Sequence, residues 1–291
     1  MFKAYNNLYT YETKPTIVGT SKFKASYNVT PTDIRQCPSS EGYFEEVVDS
    51  GSSVKIRIKQ GCSEPALTIP KSYRGKTISG LMSSHNSVKR IFFEKDNQIT
   101  IIDKNFKIND TELEYVDFNA LSCLDSIEEF AFQGCINLEV TMLPNSLTSI
   151  GQAAFSGCTS VAIMALPENL QAIGINGFSY CSGIRDLDFN QAQELKTIGQ
   201  NAFYNCENLS IASGRLTYVE QLSSYVFTYC SSLGFTITPD SALTHIGSNT
   251  FEGSSTTINA LPDNLKIISS FGFGGLLNKD AYIGIIPPSV E

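Results

Sequence analysis

Between Leu124 and Leu276 the apolar positions return in a fixed order. A Leu/Ile pair is followed by a Gly or polar slot, then a Phe, and usually a Cys three residues after the Phe. The anchoring positions are Phe132, Phe155, Phe178, Phe203, Phe227, Phe251 and Phe273, separated by 23, 23, 25, 24, 24 and 22 residues. Five of them carry the Cys: Cys135, Cys158, Cys181, Cys206 and Cys230. In one clean copy Leu147 and Ile150 open the unit. Ala153, Ala154 and Phe155 tolerate helix and predict one or two helical turns. Gly157 reads as the helix stop, because Gly accepts positive φ. Val161, Ile163 and Leu166 predict a short buried strand. Pro167 ends it, since Pro cannot donate to a strand ladder. Leu170 opens the next unit in the same phase.

A unit of this size cannot bury its own apolar face. Stacked on a neighbour it completes one continuous core. Self-similarity at a period of 20–29 residues is the signature of a leucine-rich solenoid. The fold class expected is therefore α/β: a leucine-rich-repeat solenoid with a parallel β-sheet on one face and short helices or turns on the other. About seven clear repeats of 22–25 residues follow degenerate N-terminal ones. Strands of successive coils would lie about 4.8 Å apart, so seven coils make a sheet roughly 30 Å long.

The N-terminal third departs from this rhythm. Val54 to Ile58 alternates apolar and basic residues and predicts a half-buried strand. Leu67–Ile69 and Val88–Phe93 are further strand candidates, and Ile99 to Phe106 resembles a repeat with one residue missing before the Phe. Residues 51–111 read as an N-terminal cap with degenerate repeats, and 112–291 as the solenoid. Residues 1–50 follow neither pattern. They form either a leader or cap extension, or an anchor that docks into a larger assembly.

The phrase Leu147-x-x-Ile150-Gly-x-x-Ala-Phe155-x-x-Cys158, followed by Leu166-Pro-x-x-Leu170, resembles the BspA-type leucine-rich repeat. Leu195-x-x-Ile198-Gly-x-x-Ala-Phe203-x-x-Cys206 is nearly as good a copy. The resemblance covers about residues 112–276 and extends more weakly to Ala66–Ile78. It implies adhesion or recognition and brings no catalytic residues with it. Departures gather toward the C-terminus: Thr250 replaces Ala, Ser254 and Leu276 take the Cys slot, and 189–195 is a longer connection. Capping repeats, which meet solvent on one side, are expected to depart in this way.

Composition narrows the function. The net charge of −8 and a pI near 4.9 oppose nucleic acid and anionic membrane, which want a basic footprint. Lys89-Arg90 is the only adjacent basic pair and reads as part of a solvated face. No run of 18 apolar residues is present, so no transmembrane helix is expected. No apolar secretory region opens the chain. Localisation is not fixed by these signs; a cell or virion surface is favoured.

Five of the eight Cys fill one slot of the repeat, which predicts an inward ladder of buried thiols rather than disulfides. Cys37, Cys62 and Cys123 stand outside it, and Cys37 and Cys62 could pair in an oxidising compartment. Asn28, Asn109 and Asn208 match the glycosylation pattern.

Few residues of the chain suggest chemistry. His245 alternates with core positions and should be exposed, and His85 sits in a loop-like run. The Cys spacing is wrong for zinc. Phe271 to Gly275 is Gly-rich but lacks the P-loop Lys. Asp186-Leu-Asp188 resembles the start of a calcium loop, but Gln191 stands where Gly is needed and Thr197 where Glu is needed. No catalytic residue, metal or cofactor is assigned. Tyr180, Tyr204 and Tyr229 lie beside the anchoring Phe residues. They either pack at the core edge or form a candidate interface along one flank.

The function expected is non-catalytic recognition or adhesion, presenting a repeat surface to a protein or glycan. The alternative is a structural subunit of a particle such as a phage tail, fibre or capsid decoration, with neighbouring subunits as partners. An enzyme is the least supported reading.

Overall fold

The structure, a computed structural model, describes residues 41–211, 216–234, 236–237, 240–258 and 261–276. Nearly all of the N-terminal arm, with Cys37 and the Asn28 sequon, lies outside the described residues. The strands are β1 (Phe44–Asp49), β2 (Ser53–Ile58), β3 (Ala66–Ile69), β4 (Ser72–Tyr73), β5 (Lys76–Leu81) and β6 (Arg90–Phe93). The two-residue strands are β7 (Ile101–Ile102), β8 (Tyr115–Val116), β9 (Ser126–Ile127), β10 (Ser149–Ile150), β11 (Ala172–Ile173) and β12 (Thr197–Ile198). They continue as β13 (Gln221–Leu222), β14 (Thr236–Ile237), β15 (His245–Ile246), β16 (Thr257–Ile258) and β17 (Ile267–Ile268).

One sheet runs the length of the molecule in the order β1-β2-β5-β7-β9-β10-β11-β12-β13-β15-β17, with β4 on β5. The β1–β2 hairpin is antiparallel, and every pairing from β2–β5 along to β15–β17 is parallel. The register is one coil per step: Ile127, Ile150, Ile173, Ile198, Leu222, Ile246 and Ile268 stand side by side on the inward row. A second parallel ladder, β3-β6-β8, lines another side of the cap. Among the described residues of the repeats, parallel pairing off the long sheet is seen as isolated bridges such as Val140 to Val161 and Ala165 to Asp188, and as the two-stranded sheet β14-β16. The sequence placed the main strand at Val161–Leu166. The continuous sheet instead forms at the residues just before the Gly slot.

That slot explains the choice. A Cβ on Gly174 would lie 2.7 Å from the backbone of Gly151 and Gln152 in the preceding coil. Gly therefore lets neighbouring coils approach to ladder distance at this point of the turn.

The helical turns expected around Ala153–Phe155 are not formed. Among the described residues there is no α-helix, only turns and two short 3-10 segments at Glu41–Tyr43 and Phe118–Ala120. Two left-handed residues bracket each anchor of the repeats: Ala153 at φ +50° and Gly157 at +76° around Phe155 are one pair. The amides that a helix would use locally bond across coils instead. Phe132 N–H donates to Ala154 at 2.8 Å, Phe155 N–H to Gly177 at 2.9 Å and Phe178 N–H to Ala202 at 2.8 Å.

Inside the stack the anchors form a column. Rings from Phe132 to Phe273 follow one another at centroid distances of 5.3, 5.3, 5.5, 5.7, 6.0 and 5.7 Å, all nearly parallel. Phe132, Phe155, Phe178, Phe203, Phe227 and Phe251 are buried, and Phe273 is half-buried. Phe106 meets Phe132 edge-on at 5.8 Å, so the column begins where the cap ends. β7 pairs with β9 in the common register, which makes Ile99–Phe106 a coil of the same stack.

The cysteines form a second column. Cys135, Cys158, Cys181, Cys206 and Cys230 are buried free thiols. Each donates to a carbonyl of the coil before it: Cys158 to Phe132 at 2.9 Å, and Cys181, Cys206 and Cys230 to Phe155, Phe178 and Phe203 at 3.0 Å. The slot thus offers an acceptor and is not a purely apolar stack. Burial pushes the Cys135 and Cys206 thiols up to about 12 and the other three well above the ordinary thiol value.

Candidate functional site

Two surfaces of the repeats are built differently from the core. The first is the outer row of the long sheet. Because side chains alternate across a strand, the residue before each inward Ile or Leu faces outward. That row reads Ser126, Ser149, Ala172, Thr197, Gln221, His245, Ile267. Beside it, Gly199, Ser223 and Gly247 leave a shallow groove that Gln221, His245 and Ile267 overlook. His245 is half-buried, with Nδ1 2.8 Å from the Thr244 hydroxyl.

The second surface is on the turn that carries the anchors. Tyr180 and Tyr229 each stand two residues after an anchor, with φ +60°. The same slot holds Gly134, Gly157, Asn205, Gly253 and Gly275 in other coils, all at positive φ as well. Tyr204 stands one residue after its anchor, between them. Its ring is 5.5 Å from Tyr180, tilted by 59°, and 5.5 Å from Tyr229, tilted by 74°. Tyr180 is 50% exposed and Tyr229 44%. The three rings therefore make one continuous ridge. Burial first, then the neighbouring Tyr180, Tyr229 and Glu252, hold the Tyr204 hydroxyl above its ordinary value.

A third, polar surface was not foreseen. Lys89 and Arg90 are ion-paired across one coil: Lys89 to Glu112 and Arg90 to Glu114, both at 2.9 Å. Phe92 and Tyr115, with centroids 5.6 Å apart, line the same depression. The signal was present as an offset of one coil, 24 residues, between Arg90 and Glu114.

The other candidates fall into ordinary roles. His85 is exposed. Asp188 Oδ1 accepts the Asn190 amide at 2.8 Å in a local turn. Phe271 to Gly275 forms the last turn described. Among the described residues no group of three or more His, Cys, Asp and Glu could hold a metal ion. Also among them, no helix is long and apolar enough to cross a membrane. Cys62 is buried and Cys123 half-buried, both free.

The profile of the "BspA type Leucine rich repeat region" matches in six copies over residues 99–233 and 212–280. The match opens at the Ile99–Phe106 coil, within the degenerate repeats and ahead of residue 112, where the clear resemblance begins. Among solved structures, the leucine-rich repeat protein of T. pallidum superposes with a TM-score of 0.52 at 19% identity. That alignment covers 73% of this chain and 86% of the other, and shows a common fold. A leucine-rich cell surface protein from Faecalibacterium prausnitzii A2-165 gives 0.45 at 18% identity, over 79% of this chain and 81% of that one. No curated protein matches.

Proposed function

The chain belongs to the BspA-type leucine-rich repeat family, and from that premise we propose that it is a non-catalytic recognition protein that binds a macromolecular partner through its repeats. The observation that carries this reading is the contrast between rows. Inward positions repeat the same chemistry from coil to coil: Ile or Leu, Phe, Cys. The outward row changes at nearly every step, from Ser149 to Ala172, Thr197, Gln221, His245 and Ile267. A solenoid lets such positions vary without cost to the core, so the frame holds while the surface is free to specify a ligand.

Adhesion is the use that fits a long, regular, non-catalytic surface. The test is binding of the purified full chain to arrays of immobilised proteins and glycans. The expected result is saturable binding to at least one array member, competed by unlabelled chain and without consumption of the target. No saturable binding across the arrays, or turnover of a bound target, would overturn the proposal.

A further inference from the structure

We propose that Tyr180, Tyr204 and Tyr229 form a docking ridge for the Arg or Lys side chains of an extended basic segment of a protein partner. The inference rests on the recognition reading above and adds where the partner docks and what chemistry it brings. A bulky residue in the left-handed region is disfavoured, because Cβ crowds the following carbonyl. Tyr180 and Tyr229 accept that conformation in a slot where other coils use Gly or Asn. Core packing does not account for it, since both rings are about half exposed. Strain of this kind, kept at an exposed aromatic, points to a surface role.

The ridge is also unspent within the chain. Among the described residues no hydrogen bond engages the three hydroxyls. The cation–π pairs, Arg74 with Tyr73 and Lys196 with Tyr218, lie elsewhere. The flanks are bare: Gly157 takes the slot before Tyr180, and at Gly253 a Cβ would meet the Tyr229 ring at 2.7 Å. Gly253 is thus what lets that ring lie across the next coil.

Charge selects the occupant. The turns 176–182, 200–207 and 224–231 contain no Lys or Arg, and they contain Glu207. Glu252 stands in the row of Tyr204 two coils on, and the whole chain carries −8. Rings tilted by 59° and 74° leave notches rather than the flat platform a sugar face would cover. A cation is drawn to ring faces, and more so beside a carboxylate. Successive ring centroids lie 5.5 Å apart. In an extended strand, alternate side chains on one face recur at about 6.6 Å. The difference of about 1 Å is within the reach of a long, flexible Arg side chain, so an Arg-x-Arg segment can set successive guanidinium groups at successive rings.

The probe is a synthetic Gly-Arg-Ser-Arg-Ser-Arg-Gly peptide titrated into the full chain by calorimetry, beside the same peptide with neutral citrulline for Arg and a hexose oligomer. The combined change Tyr180→Gly, Tyr204→Ser, Tyr229→Gly is expected to weaken peptide binding about tenfold or more. The triple Tyr→Phe variant, which keeps the ring faces, should stay within about threefold. Glu252→Gln should weaken it measurably. Equal binding of the citrulline peptide, preference for the hexose oligomer, no binding of the Arg peptide by the unaltered chain, or an unaffected Gly/Ser variant would each overturn the ridge. If the Gly/Ser variant fails to fold, the Phe and Gln variants and the citrulline peptide decide. A chain that binds its array target equally well with and without the ridge keeps the recognition reading and loses this one.

Discussion

A tyrosine at φ +60° carries a cost that Gly avoids in the same slot of other coils. Replacing Tyr180 or Tyr229 singly by Gly should therefore leave stability unchanged or raise it by up to about 1 kcal/mol, the reverse of most aromatic truncations. Urea unfolding of the single variants measures this, and a loss above 2 kcal/mol would show that the rings are structural. The sequence put Tyr180, Tyr204 and Tyr229 in one group, but it could not show their contact. Tyr204 is one residue out of phase, and only the lean of the rings brings it between the others. The cysteine slot gives a second residue-scale result. In a purely apolar column a hydroxyl at 158 would lack a partner. The Phe132 carbonyl is that partner. Cys158→Ser should thus cost about 1 kcal/mol, and Cys158→Val about 2 kcal/mol, since the methyls cannot donate and add bulk. A Val variant as stable as the unaltered chain would refute the role of the thiol hydrogen bond.

Within one coil, two glycines serve different ends. Gly174 is held by proximity: its missing Cβ would strike backbone atoms at 2.7 Å. Gly157 is held by conformation: its φ is +76° and the nearest atom is 3.7 Å from the Cβ position. Gly174→Ala should cost about 1–3 kcal/mol through separation of coils, and Gly157→Ala about 1 kcal/mol through backbone strain. Chemical denaturation of both would show it; equal costs would remove the close-approach explanation. The Leu-x-x-Ile spacing and the Phe period were legible because apolar side chains alone set them. The helical turn at Ala153–Phe155 was misread for a physical reason. Propensity describes residues whose amides bond within their own segment, whereas here the Phe155 amide bonds to Gly177. The ion pair of Arg90 with Glu114 was hidden for the same reason: the partner lies one coil away.

Across the whole molecule the thiol column makes stability depend on alkaline pH. Burial raises the thiol values in the fold, to about 12 at Cys135 and Cys206. An unfolded chain would ionise the same thiols near 8.5. The unfolded state therefore binds fewer protons above that pH, and stability falls as pH rises between the two values. Each thiol adds a slope of about 1.4 kcal/mol per pH unit in that window. Thermal unfolding should show a steep drop above about pH 9, shallower by one thiol's share in Cys158→Ser. A melting temperature flat from pH 8 to 10.5 would contradict the burial of the column. Below pH 8 the thiols are protonated in both states and add no dependence.

The bonding between coils also has a direction. From Phe132 to Phe227 the anchor amide reaches forward, as Phe155 does to Gly177, and from Cys135 to Cys230 the thiol reaches back, as Cys181 does to Phe155. Each of these coils therefore presents the same donors and acceptors on its two sides, like a cell of a one-dimensional crystal. Such an array is indifferent to the number of cells and intolerant of fractions of one. Excision of residues 156–178 joins Phe155 to Ser179 in phase, and the shortened chain should fold with a single cooperative transition. Excision of about half that length puts core residues outside and should leave a chain that aggregates. Lengthening by duplication should succeed on the same terms, so whole-coil copying gives this surface a route to change its reach without redesign.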